Sequence, residues 1–270
     1  MKISIIRKAR LDNIASASGV EVVNGIIYIL SDDSSFLYKI KHDLTVLDKI
    51  ELYSSNATNP VHIPKPEKVD LECIGQFPIN GFQHLLLLGS GSKSPQRDKG
   101  FLVKLPTNYN RKHIVWEVDL SRLYALFRSD ERITTNGEIN IEGLAFSDSK
   151  SYLVNRGNVS GSQNVVLSFS KEEFVEYVQG HMDGVPFPAI HTIPLPEIKG
   201  VPLGFTGADF YDNHFWITCS AENTSNAYDD GKVEGSMLGN LIVEERNNGR
   251  FNKQKNKMNK TGLWLRSHRK

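Results

Sequence analysis

Apolar residues fall along this chain in short runs broken by Gly, Asn, Asp, Ser or Pro. The runs include "KISIIRK", "GIIYIL", "FLYKIK", "VLDKIEL", "HLLLLG", "GFLVKL", "IVWEVDL", "SYLVN", "NVVLSF", "FWITCS" and "GNLIVEE". Their length and their β-branched and aromatic content predict strands. Asn24-Gly25 and Asp212-Asn213 each separate a pair of such runs in the manner of a two-residue hairpin turn. Helical spacing of apolar positions occurs only in "SRLYALFRSDER", near 121–132, and "KEEFVEYVQGHM", near 171–182. These two segments read as insertions decorating an all-β protein.

The strand pattern also repeats. A short strand carrying a carboxylate is followed by a turn, a more apolar strand, a polar loop and a further strand. The carboxylates are Glu21, Glu72, Glu142 and Asp209, spaced by 51, 70 and 67 residues, and the longer gaps hold the helical insertions. First strands near 19–23, 69–74, 139–146 and 206–210 predict a β-propeller with four recognisable blades over residues 1–245. In such a ring, equivalent first-strand residues converge on the axis. A partial fifth unit, "MNKTGLWLRS" at 258–267, places Thr261 where a carboxylate is expected, and "KISIIRK" offers one strand for closing the ring. The last blade is expected to be incomplete, or the chain truncated at its C-terminal end.

Composition narrows the function classes. The 270 residues carry a net charge of +1, which gives no global attraction to nucleic acid or an anionic membrane. The exception is local: residues 246–270 hold nine Lys or Arg and no acid, which reads as a solvated basic tail. No signal peptide and no run near the ~20 apolar residues of a membrane span is seen, so a cytoplasmic location is expected. Cys73 and Cys219 sit far apart in apolar segments as core thiols. The sequons at Asn56, Asn158, Asn223 and Asn259 carry little meaning without a secretory signal.

Two constellations could carry chemistry. Glu21, Glu72, Glu142 and Asp209, gathered on one axis, would repel unless a cation, a basic partner or a proton relieved them. Their oxygen-only donors favour Ca²⁺, or Mg²⁺, over zinc. The rival reading gives each a structural role, accepting backbone N–H bonds from the next blade. The second constellation lies in the loops after each second strand: "SDDSS" (Asp32, Asp33), "GSGSKSPQR" (Ser90, Ser92, Lys93, Arg97), "NRGNVSGS" (Asn155, Arg156) and "SAENTSNAYDDGK" (Glu222). Ser92, Lys93, Arg97, Asn155, Arg156 and Glu222 are the candidate substrate-binding residues. "GSGSKSPQR" lacks the spacing of a nucleotide-binding P-loop. No G-x-S-x-G, H-E-x-x-H, C-x-x-C or strand-following G-x-G-x-x-G is present, and no nucleophile or base stands out.

The stretches "SGVEVVNGIIYILSDDS", "LLLLGSGSKSPQRDKG", "NIEGLAF" and "AENTSNAYDDGKVEGSMLG" resemble an uncharacterised bacterial β-propeller family related to phytase-like (esterase-like phytase) domains. The resemblance covers about residues 15–243 and implies five or six blades and, from related propellers, Ca²⁺ binding. It does not extend to phytase chemistry, because the dense acidic and basic clusters of a phosphate-rich substrate site are missing. The expected function is ligand or partner binding through the polar face and the channel. The alternative is a divalent-cation-dependent hydrolase of phosphoesters, esters or lactones, with Arg97 and Arg156 on the substrate's anion. In outline that alternative is similar to gluconolactonase-type propellers.

Overall fold

A computed structural model describes residues 10–12, 14–107, 112–157, 160–223 and 231–241. The strand expected at "KISIIRK", the basic tail, the segment with Thr261, and Asn158 and Asn259 lie outside the described residues.

The described strands form four antiparallel four-stranded sheets in chain order, arranged as a four-bladed propeller. Blade one is β1 (Ala17–Val23), β2 (Ile26–Ser31), β3 (Phe36–Ile40) and β4 (Val46–Glu51). Blade two is β5 (Leu71–Ile79), β6 (Phe82–Gly89), β7 (Lys99–Lys104) and β8 (Ile114–Asp119). Blade three is β9 (Ile141–Phe146), β10 (Lys150–Asn155), β11 (Val165–Ser170) and β12 (Ala189–Thr192). Blade four comprises β13 (Glu197–Ile198), β14 (Val201–Tyr211), β15 (His214–Asn223) and β16 (Lys232–Leu241). There β13 is a short flap paired to the first residues of β14. The strands β1, β5, β9 and β14 pack on one another in that order as the inner strands.

The hairpins follow local chemistry. Asn24 and Gly25 have φ of 50° and 78°, and Asp212 and Asn213 have 52° and 57°. Left-handed conformation at both central residues is what a type I′ hairpin needs, and Asn, Asp and Gly tolerate it best. Asn80-Gly81 makes a third such turn, between β5 and β6.

Three buried clusters lie between successive blades. They explain why the middle strands read as continuous apolar runs. In β6, Leu85 and Leu87 face blade one, whereas Leu86 and Leu88 face blade three. Successive side chains alternate across a sheet, so a blade covered on both faces needs apolar residues at every position. Among the described residues, blade one is covered on one side only: Val20 and Val22 remain 63% and 47% exposed.

The helices contribute more than decoration. α1 (Ser121–Ser129) buries Leu123, Tyr124 and Phe127, and α2 (Lys171–Val178) buries Phe174 and Val178. All five side chains belong to the cluster between blades two and three. Ser170 caps α2 by accepting from the Glu173 N–H, and Glu172 and Glu173 in its first turn suit the positive end of the helix dipole. No helix among the described residues is long and apolar enough to cross a membrane.

Candidate functional site: the channel and its charged mouth

The inner strands share a backbone irregularity. In β1 the pairing with β2 passes from Ala17 to Gly19, leaving Ser18 unpaired. In β5 it passes from Leu71 to Cys73, leaving out Glu72. In β9 it passes from Ile141 to Gly143, leaving out Glu142, and in β14 from Phe205 to Gly207, leaving out Thr206. Each is a β-bulge, an extra residue that the ladder does not use and that can be re-aimed. All four bulge residues line one cavity of about 460 Å³. Its walls are mostly apolar, with Val20, Ile74, Leu144 and Ala208, and Tyr211 and Trp216 line it as well.

The bulges re-sort the expected carboxylate set. Glu72 and Glu142 are bulge residues and act on each other electrostatically. Glu21 and Asp209 lie three residues beyond the bulges of β1 and β14, and they too act on each other. Three residues of strand span roughly 10 Å, so the four acids form two tiers along the channel. One ion bonded at ~2.4 Å to all four would need them at one level. The geometry divides the expected set into two pairs, Glu72 with Glu142 and Glu21 with Asp209. Gly143 allows the tight passage between blades three and four, since a Cβ there would sit 2.6 Å from the Ala208 nitrogen.

Two charge networks ring the mouth next to the bulge tier. In the first, the Lys68 ammonium donates to Asp32 at 2.6 Å and Asp33 at 2.8 Å, and lies 3.0 Å from Asp70. Burial opposes the charge on Lys68, but Asp70 and Asp32 outweigh it and raise its pKa. Asp70, held at φ 61°, also accepts from Arg97 and from Ser90 at 2.6 Å. Arg97 in turn donates to Ser92 at 2.7 Å. In the second network, Arg156 donates to Glu142 at 3.1 Å, Glu222 at 2.5 Å and Ser220 at 3.2 Å. Asn140 adds a 2.7 Å bond to Glu142. Burial raises the Glu142 pKa and Arg156 offsets some of that rise. Asp32, Ser90, Arg156 and Ser220 are equivalent positions, each the first residue past the partner of its blade's bulge.

Glu72 stands apart. It is half-buried, lines the cavity, and has no hydrogen bond or ion pair among the described residues. Burial first, then Glu142, Asp70 and Asp32, push its pKa well up. Its carboxylate oxygen lies within 4.8 Å of ones from Asp32 and Asp70, a group that could hold a metal ion. Lys68 already touches two of the three. In the outer tier, Glu21 accepts from Gln76 at 2.8 Å, and burial followed by Asp209 raises its pKa to about 7.

The loop candidates divide in the same way. Ser92, Arg97, Arg156 and Glu222 enter the mouth networks, with the guanidinium groups engaged by carboxylates. Asn155 is fully buried and braces the backbone, accepting from the Asn140 N–H and donating to Ser162 and Gln163. Lys93 is exposed on its loop. Sequence reasoning missed Ser18, Thr206, Lys68, Asp70 and Asn140. A signal for the bulges was present: Ser18-Gly19, Glu142-Gly143 and Thr206-Gly207 place a glycine after the bulge residue in three of four blades.

Comparison with known proteins places this geometry in a family. The model of a family of unknown function, DUF6929, matches residues 13–266, and the chain belongs to it. A comparison with curated proteins returns no match. Among solved structures, the chain is similar to the GH43 endo-arabinanase from Bacillus licheniformis, at TM-score 0.48 and 11% identity over 96% of this chain and 82% of that one. It is also similar to the PQQ-bound aldose sugar dehydrogenase from Streptomyces coelicolor, at TM-score 0.36 and 12% identity over 91% and 93% of the two chains. The comparisons leave the phytase-like relation unsupported.

Proposed function

We propose that this DUF6929 propeller is a binding protein whose channel holds a small ligand by a positively charged group. The observation that carries this reading is Glu72. Its surroundings contain more carboxylates than cations: Lys68, Arg97 and Arg156 face Asp32, Asp33, Asp70, Glu72, Glu142 and Glu222. The three cations are engaged by the other five acids, so Glu72 is left to a proton or to a cation arriving from the cavity. Apolar walls suit a ligand with a hydrocarbon body.

The test uses butylamine as probe on the full chain. Saturable binding by calorimetry, lost in Glu72→Gln, is the expected result. Heat that is unchanged by Glu72→Gln refutes the reading.

A second reading keeps the divalent-cation-dependent hydrolase. It draws on the oxygen donors of Asp32, Asp70 and Glu72, which suit Ca²⁺ or Mg²⁺. An ion bound there would share Asp32 and Asp70 with Lys68, polarise a scissile ester, lactone or phosphoester group and acidify a bound water. A Ca²⁺-dependent rise in the melting temperature of the unaltered chain, absent in Glu72→Gln, would favour it. A screen against those substrates would then show turnover.

A further inference from the structure

Building on the amine-binding reading above, the geometry points to one ligand class: a linear terminal diamine with ammonium groups about 10 Å apart, such as 1,7-diaminoheptane. The cavity has acids at two heights. Glu72 and Glu142 line it at the bulge tier, and Asp209 lines it three residues further along β14, close enough to Glu21 to act on it electrostatically. Between the tiers the wall is apolar, formed by Cys73, Ile74, Leu144 and Ala208. A ligand matching this surface needs a cation at each end and methylenes between.

The two ends differ in a way that suits such a chain. At the inner end, Glu72 lines the cavity and is unpartnered among the described residues. An ammonium delivered there would gain a charge-assisted bond that no protein group supplies. At the outer end, Asp209 is accompanied in the cavity lining by Trp216 and Tyr211. Aromatic faces attract ammonium groups and add to the carboxylate's pull. A compact divalent ion could occupy one tier but would leave the other unsatisfied. A short diamine would do the same.

Calorimetric titration of the full chain with 1,7-diaminoheptane, ethylenediamine and butylamine tests the assignment. The long diamine is expected to bind at least about tenfold more tightly than ethylenediamine, the worth of one extra charged hydrogen bond. Asp209→Asn should remove that preference and leave ethylenediamine unchanged, whereas Glu72→Gln should weaken all three amines. Asp209 is exposed, and Glu72→Gln keeps the side chain's size at a half-buried position, so both variants keep a reason to fold. Equal affinity for 1,7-diaminoheptane and ethylenediamine, or a preference that survives Asp209→Asn, overturns the diamine assignment. If butylamine still binds through Glu72 in that case, the ammonium-binding reading stands alone. Failure of all three amines to saturate sinks both.

Discussion

Replacing Arg156 with Met should expose how far the mouth depends on one guanidinium. Arg156 bridges Glu142 and Glu222, whose side chains are only 10% and 12% exposed. Removing it leaves two enclosed carboxylates without a counter-charge and Ser220 without its donor. Breaking a buried pair from one side costs about 3–5 kcal/mol, because the remaining charge stays desolvated. At roughly 2–4 °C per kcal/mol for a domain near this size, the melting temperature should fall by about 10 °C. Urea unfolding of the unaltered chain, Arg156→Met, Glu142→Gln and the double variant gives the coupling directly. The double variant should recover part of the loss, because Glu142→Gln removes one of the two stranded charges while Glu222 still lacks its partner. The pH response has a definite sign. Without Arg156, the already raised Glu142 pKa rises further, so the folded state binds the proton more tightly than the unfolded state. The deficit should therefore shrink as pH falls towards the usual glutamate range and widen above it. A loss below about 1 kcal/mol, the scale of an exposed pair, would refute the reasoning.

Three further outcomes are expected. Glu21 titrates at about 7 in the folded chain against an ordinary 4.5, so its contribution to stability is full below pH 4.5 and is lost as pH rises through 7. Glu21→Gln should flatten stability across that window and be more stable than the unaltered chain at pH 8 by about 2 kcal/mol in urea melts. Lys68→Met should cost about 3–5 kcal/mol by leaving Asp32, Asp33 and Asp70 together. Millimolar Ca²⁺ should restore some of its melting temperature, and a Ca²⁺ response no larger than that of the unaltered chain would show that these carboxylates cannot host an ion. Gly143→Ala should destabilise by about 1–3 kcal/mol, since the new methyl group meets the backbone of β14. Thermal melts unchanged by the substitution would contradict the close passage of blades three and four.

Much of the architecture was legible because it rests on local chemistry. Short apolar runs, Asn24-Gly25, Asp212-Asn213 and the two helical periodicities located blades, hairpins and helices within a few residues. The strand "AIHT" of β12 went unnoticed, as its mixed residues lie partly exposed on an outer edge. The carboxylate register was the harder matter. "GVE", "LEC", "IEG" and "GAD" look interchangeable as letters, yet Glu21 and Asp209 sit three residues past the bulge while Glu72 and Glu142 occupy it. A bulge is a property of backbone pairing, which hydrophobic alternation does not record. Lys68 and Asp70 escaped notice because their role depends on blade one meeting blade two, a long-range contact with no local mark.

The repeated bulge has a consequence for how such a protein can change. A bulge residue that pairs with nothing in the ladder and carries no ion pair, as at Ser18, Glu72 and Thr206, can be exchanged with little disturbance to the sheet behind it. Glu142, by contrast, is tied to Arg156. Ser18, Glu72, Glu142 and Thr206 already give the four positions hydroxyl or carboxyl groups on a shared backbone frame. Relatives could acquire new ligand preferences one blade at a time, each by a single codon at its bulge. The ring's chemistry is in that sense a four-letter word of which one letter, Glu142, is held by the scaffold that displays it.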